Sequence, residues 1–366
     1  DIGRFLYSHY FGGEDPKMKL PVELGHVDRA KYFTFGATLT KRHHESVALV
    51  AEGFFPGAEP PDVVIDEAPD NFLKCPPHAC VEANHKDVSE WLASAGMNFY
   101  SNRKPVVREI EKICGHTFTD SDIDFDAANP HPPFQDVADL LKFRSQSNLS
   151  MPPHIHAVLD GARAIEFQGI QQRLFGTDEQ VVYWMGDLPE RLLDIFSDPE
   201  KHFGVYVTSR EKLFAAEEYY GFVFNCGGIL PTYDIYPGTS LIFELHRDED
   251  GNKSVQVGYY YPEGHPAADP PHEAALKWLE LPGCDSQKCP FDTFAELTRQ
   301  RSKVDGKDFR QICSERVAQP AALARIGMSP VALLSLSSVA AACALAALVL
   351  VARRSRRSRD YVRLLG

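Results

Sequence analysis

The most constraining stretch of this 366-residue chain lies near its end, at residues 331–352. It reads VALLSLSSVAAACALAALVLVA, 22 residues without a charge, a proline or a glycine. As a helix rising about 1.5 Å per residue it reaches roughly 33 Å, enough to cross a hydrocarbon core of about 30 Å. A core helix of a soluble domain carries a polar stripe; here only three serines interrupt the run. The expectation is a transmembrane helix. Arg353, Arg354, Arg356, Arg357 and Arg359 follow it directly, and clustered arginines stay on the cytoplasmic side. Residues 1–314 are then a lumenal domain, 315–330 a linker, and 353–366 a cytoplasmic tail.

That orientation shapes the rest of the reading. The tail carries six arginines against Asp360, so of the net charge of −13 the remainder carries about −18. An acidic lumenal domain gives no electrostatic footprint for nucleic acid. The chain opens at Asp1 without a methionine or a signal peptide, which a lumenal orientation requires; an N-terminal piece is expected upstream. Of eight cysteines, Cys343 lies inside the apolar run. The other seven face an oxidising space, where disulfides are the default and one thiol is left over. Cys75 with Cys80, or Cys284 with Cys289, has knuckle-like spacing, but in a lumenal protein disulfides are preferred to zinc. Asn148-Leu-Ser150 and Asn252-Lys-Ser254 are glycosylation sequons. In the tail, Tyr361-Val-Arg-Leu364 fits the extended Tyr-x-x-hydrophobic signal that clathrin adaptors read. The bilayer and an adaptor are therefore expected partners.

Periodicity predicts helices at 3–10, 42–52, 88–95, 106–114, 137–143, 153–175 and 189–196. A short buried strand is expected at Val63–Ile65, another at Phe203–Thr208, and a hairpin from Ser240–Leu245 and Ser254–Tyr261 around Asp250-Gly251. Helices and strands mix throughout, so the class is α/β. His43-His44 reads as a solvated helix face, because adjacent helical positions point about 100° apart. His154 and His156 have no third ligand nearby, and Trp184-Met185 reads as core. Neither a metal nor a cofactor is expected.

Two stretches resemble the histidine acid phosphatase family (branch 2). One is Leu230-Pro-Thr-Tyr233, the hairpin, Leu281-Pro-Gly-Cys284, Cys289-Pro-Phe-Asp-Thr-Phe-Ala-Glu-Leu297 and Cys313. The other is Arg42-His-His-Glu-Ser through Gly53-Phe-Phe-Pro56, with Gly3-Arg-Phe-Leu-Tyr7 similar to the family's first helix. Domain, span and tail look most like the membrane-bound acid phosphatases of trypanosomatid protozoa and the animal lysosomal type. The resemblance implies a phosphoglycerate-mutase-like α/β sandwich with a helical cap at roughly 80–200. It also implies disulfides Cys75–Cys313 and Cys284–Cys289, and it leaves Cys80, Cys114 and Cys226 unplaced. The family's remaining bridge lacks a partner near Lys142.

The family's chemistry uses a nucleophilic histidine in an Arg-His-Gly strand end, arginine clamps and a His-Asp pair. The Arg-His-Gly strand would precede Gly3. The arginine six residues before the match to Arg42 is Gly36 here, in Gly36-Ala37-Thr38, and the His-Asp pair falls on Ser209-Arg210, with Glu211 next. Arg210 and Glu211 are the candidate replacement clamp and acid. Losing one clamp costs on the order of ten- to several-hundred-fold, and losing the general acid another 10²–10⁴ or so. The leading expectation is thus a single-pass type I protein of endosomes, lysosomes or the cell surface (the flagellar pocket included), weak or inactive as a phosphatase and acting in binding or membrane traffic. The alternative is an active lysosomal acid phosphatase hydrolysing phosphomonoesters through phosphohistidine. A third reading is a glycoprotein receptor of unrelated fold.

Overall fold

A computed structural model describes residues 2–11, 32–65, 72–91, 104–115, 169–200, 203–224, 238–261 and 276–319, with isolated positions between them. The chain forms two units, Asp1–Ala318 and Gln319–Gly366. The apolar run at 331–352 and the tail with Tyr361 and Leu364 lie outside the described residues, as do Asn148, His154, His156 and Cys226. Among the described residues no helix is long and apolar enough to cross a membrane.

The first unit is built on a parallel sheet. Strand β1 (Phe33–Ala37) lies between β2 (Val63–Ile65) and β3 (Phe203–Val207). Phe35 stands opposite Val63 on one side and Val205 on the other. Alternation along β1 sends Phe33, Phe35 and Ala37 into a buried cluster with helices α1 (Ile2–Tyr10) and α2 (Lys41–Phe54). The stripe His43, Val47, Ala51, Phe54 faces that cluster, where the Phe54 and Phe203 rings stack at 4.5 Å. Each such buried phenylalanine contributes about 1.5–3 kcal/mol. α1 can approach because Gly3 has no side chain: a Cβ there would lie 2.8 Å from the Phe54 backbone nitrogen. β2 was expected to be buried, yet among the described residues it is an edge strand and Val64 is exposed.

On one flank come α3 (Val81–Trp91), α4 (Lys104–Cys114), α5 (Asp178–Met185) and α6 (Leu188–Ser197). The helix expected at 88–95 runs earlier, because a single 3-10 turn at His78–Cys80 leads directly into α3. α5 has a full capping box between Thr177 and Gln180, a start signal its buried, stripe-free sequence hides from periodicity. α7 (Arg210–Tyr220) follows β3 and closes on Gly221 at φ +72°, where glycine accepts the left-handed turn.

An antiparallel sheet completes the unit. β4 (Ser240–Arg247) and β5 (Lys253–Tyr260) form the expected hairpin, and β6 (Leu276–Trp278) and β7 (Lys288–Pro290) both pair with β5. Asp248 accepts from the Asn252 backbone N–H at 2.8 Å and fixes the turn, leaving Asn252 exposed. Helix α8 (Phe291–Arg301) packs beside it, and α9 (Phe309–Ala318) packs against α3 and α5. α9 carries the folded domain to Ala318, past the expected end at 314.

The Cys284–Cys289 bridge is present. The other expected pairing is corrected: Cys313 bonds Cys80, not Cys75. The turn at 78–80 and α3 pack against α9, which brings Cys80 to 5.1 Å Cα–Cα from Cys313. Cys75 lies beside β3 and keeps a free thiol.

Candidate functional site

In a parallel sheet the strands end together, and their carboxyl ends border the crevice where ligands bind. Here β1 runs out into Thr38-Leu39-Thr40 and α2, while β3 runs out into Thr208-Ser209 and α7. The residues singled out from sequence therefore meet on one edge: Gly36, Ser209, Arg210 and Glu211, together with Arg42.

Gly36 lies opposite Tyr206 in the ladder. The Tyr206 ring lies flat across Gly36 and Gly204: a Cβ at Gly36 would come 2.8 Å from Tyr206 Cδ1, and one at Gly204 would come 2.9 Å from Cε2. Phe72 meets that ring edge-on at 5.2 Å. An aromatic face thus covers the place where the resemblance implies a guanidinium. Burial pushes the Tyr206 hydroxyl above its ordinary pKa, although Arg191 and a hydrogen bond with Thr34 pull the other way.

Ser209 is the N-cap residue of α7, in extended conformation and without a side-chain cap bond; Thr40, before α2, is the same. Both helices therefore begin on this edge with no hydroxyl closing their first turns, the arrangement that favours anions. Arg210 and Glu211 form a part-buried ion pair, Nε to Oε1 at 3.4 Å.

Sequence reasoning missed three residues. His43 is not solvated: it is 9% exposed, and its Nδ1 lies 2.6 Å from the Thr38 hydroxyl. Burial, then Arg42, holds the ring below its ordinary pKa, while Glu211 opposes. The spacing of His43 with Val47, Ala51 and Phe54 was the available signal. His44, one position on, is exposed as expected. Lys212 is buried and donates to the carbonyls of Trp184 at 2.6 Å and Met185 at 3.2 Å. It thereby satisfies the carboxyl end of α5, where a cation is favoured. Burial holds Lys212 below its ordinary pKa, and a hydrogen bond to Cys75 works against that. Cys75 completes this inner layer, with the Thr208 hydroxyl 4.0 Å from its sulfur. Burial pushes its thiol up, so it stays protonated.

Elsewhere, Glu244 on β4 accepts from the Tyr10 hydroxyl at 2.9 Å and lies 3.3 Å from His9 Nε2 and 3.0 Å from His246 Nε2. This cluster joins α1 to the hairpin, and its Tyr10 meets Phe203 at the amino end of β3, 5.5 Å between ring centres. Among the described residues no group of histidines, cysteines and carboxylates is arranged to hold a metal ion.

No family model matches the chain, and no curated protein matches it. Solved structures do. The phytase of Klebsiella sp. ASR1 superposes with a TM-score of 0.58 at 16% identity, over 82% of this chain and 82% of that one. The phytase from Citrobacter braakii gives 0.56 at 10% identity, over 82% and 86%. The Hafnia alvei phytase in complex with myo-inositol hexakis sulphate gives 0.55 at 11% identity, over 82% and 92%. The chain thus shares the α/β fold of these bacterial phytases, at low identity.

Proposed function

We propose that this chain is a membrane-anchored protein of histidine-acid-phosphatase type that binds phosphate esters at the carboxyl edge and turns them over weakly or not at all. One observation carries the reading: that edge presents Gly36 beneath the Tyr206 ring, and Ser209 followed by a paired Arg210. Phosphoryl transfer needs positive groups around the equatorial oxygens and a proton donor for the leaving oxygen. The first post is a glycine and the second a serine N-cap, whose hydroxyl does not titrate in the working range.

The test is hydrolysis of an aryl phosphate near pH 5 by the purified full chain. The expected turnover is at least about 10³-fold below that of a phytase assayed alongside, the combined loss of clamp and acid. Clear tartrate-sensitive turnover would overturn the non-catalytic reading and favour the active phosphatase.

The two disulfides support an extracytoplasmic domain. The apolar run at 331–352 supports an anchor, and Tyr361 and Leu364 support adaptor-driven cycling through endosomes or lysosomes. Replacing Tyr361 by Ala should raise the surface pool of the protein, and an unchanged distribution would remove the adaptor from the proposal.

A further inference from the structure

Three features of the carboxyl edge point to one ligand behaviour. First, His43 is more than nine-tenths buried, and only one ring nitrogen is committed, Nδ1 to Thr38 Oγ1 at 2.6 Å. Thr38 Oγ1 already accepts from the Thr40 backbone N–H at 3.4 Å. Among the described residues Nε2 has no hydrogen-bond partner. Second, the charged groups acting on this ring are Arg42 on its own helix and Glu211 on α7, the latter paired with Arg210. Third, α2 and α7 both begin here without a side-chain cap. Among the described residues the edge therefore gathers two guanidinium groups, two helix starts and one open imidazole nitrogen, with the Glu211 carboxylate opposing them.

We infer that the carboxyl edge is an acid-gated oxyanion site, in which protonated His43 donates from Nε2 to a phosphate monoester that Arg42 and Arg210 attract. This rests on reading the edge as a phosphate-ester site, and it adds the pH at which that site fills. At neutral pH the ring is uncharged, because burial and Arg42 both disfavour the imidazolium. A bound oxyanion favours it. Protonation and anion binding must then promote one another by equal factors. Glu211 competes with the anion for the same positive groups, so its carboxylate weakens binding throughout. The ligand would be held in an acidic compartment and released at neutral pH. No bond in the ligand is made or broken.

The experiment is calorimetric titration of the full chain with sodium sulfate, at about pH 5 and about pH 7.5, with inorganic phosphate in parallel. Sulfate keeps its charge across that range, so any change belongs to the protein. Sulfate affinity should rise about tenfold on acidification, the effect of one charge-assisted hydrogen bond. His43→Gln should abolish the rise and keep the weak binding seen at pH 7.5. His44→Gln, at the exposed neighbour, should keep the rise. Glu211→Gln should tighten binding at both pH values, which tests the site even where the His43 variant fails to fold. Absence of sulfate binding at both pH values, a rise that survives His43→Gln, or indifference to Glu211→Gln each overturns the inference. Aryl phosphate turnover would instead defeat the non-catalytic reading and leave the pH response of sulfate binding standing.

Discussion

Beside the antiparallel sheet one buried carboxylate is held from three sides, since Glu244 takes three donors, and Cys284–Cys289 closes the turn into β7. Along the carboxyl edge of the parallel sheet the arrangement is looser. There a glycine, a serine and an arginine stand where the resemblance implies an arginine, a histidine and an aspartate. The difference follows from what each region does for the folded state. Hairpin, bridge and aromatic core remove apolar surface from water, and their loss would unfold the domain. A phosphate clamp faces solvent and holds no core together, so its residues can be exchanged while the fold persists.

The sharpest way to break this contrast is to cut the scaffold. Cys80–Cys313 closes a loop of 233 residues between α3 and α9. Replacing both cysteines by Ser should cost about 3–5 kcal/mol, read as a fall in the urea midpoint. Cys75→Ser, beside the edge, should cost well under half of that, since a serine hydroxyl can keep the contacts with Lys212, Leu73 and Thr208. Peptide mapping without reduction should recover Cys80 joined to Cys313. Recovery of Cys75 joined to Cys313 would restore the pairing implied by resemblance.

How far the sequence could be read follows the same division. α1, α2, β3 and the hairpin were legible because their patterns are local: Val47, Ala51 and Phe54 repeat at helical spacing, and Asp250-Gly251 marks a turn. β1 was not, since Phe33-Thr-Phe-Gly-Ala37 is short and glycine-interrupted, and only its two parallel neighbours make it a strand. α7 was not, because Lys212, Phe214, Ala215, Ala216, Tyr219 and Tyr220 are buried nearly all round and leave no polar stripe. The partner of Cys313 depended on where α3 meets α9, which spacing does not encode. At the site, the replacements Gly36, Ser209 and Arg210 rest on the resemblance alone. The burial of His43 and the ring of Tyr206 over Gly36 were not, because both arise from side chains meeting across elements.

A middle-sized effect separates the regions by pH. Burial alone would raise the Glu244 carboxyl, but His246, His9 and Tyr10 outweigh it and hold the group at about 2, against an ordinary 4.5. A carboxyl lowered in the fold stabilises it above about pH 4.5, and that stability is lost as the pH falls towards 2. One proton over this interval is worth about 3 kcal/mol. Glu244→Gln should therefore lower stability at neutral pH by about 2–3 kcal/mol and flatten the acid limb, measured as denaturant midpoints from pH 7 down to pH 2.5. An acid limb as steep in the variant as in the parent would show that another group carries it.

The smallest expected effect falls on the edge itself. Gly36→Arg places a guanidinium where the resemblance implies one, but its Cβ would lie 2.8 Å from Tyr206 Cδ1, so that ring must swing off the strand. The strain is of the order of 1–2 kcal/mol, offset in part by the roughly 0.5–1 kcal/mol that a strand gains when glycine is replaced. Net stability should fall by no more than about 1 kcal/mol. Sulfate should bind more tightly, and more so in Gly36→Arg with Tyr206→Ala, where the ring no longer competes for the space. Neither variant should hydrolyse an aryl phosphate, because Ser209 and Arg210 still offer no proton to a leaving oxygen. Turnover from the single arginine would mean that the edge already holds a competent acid, and would move this region from the loosened side of the comparison to the constrained one.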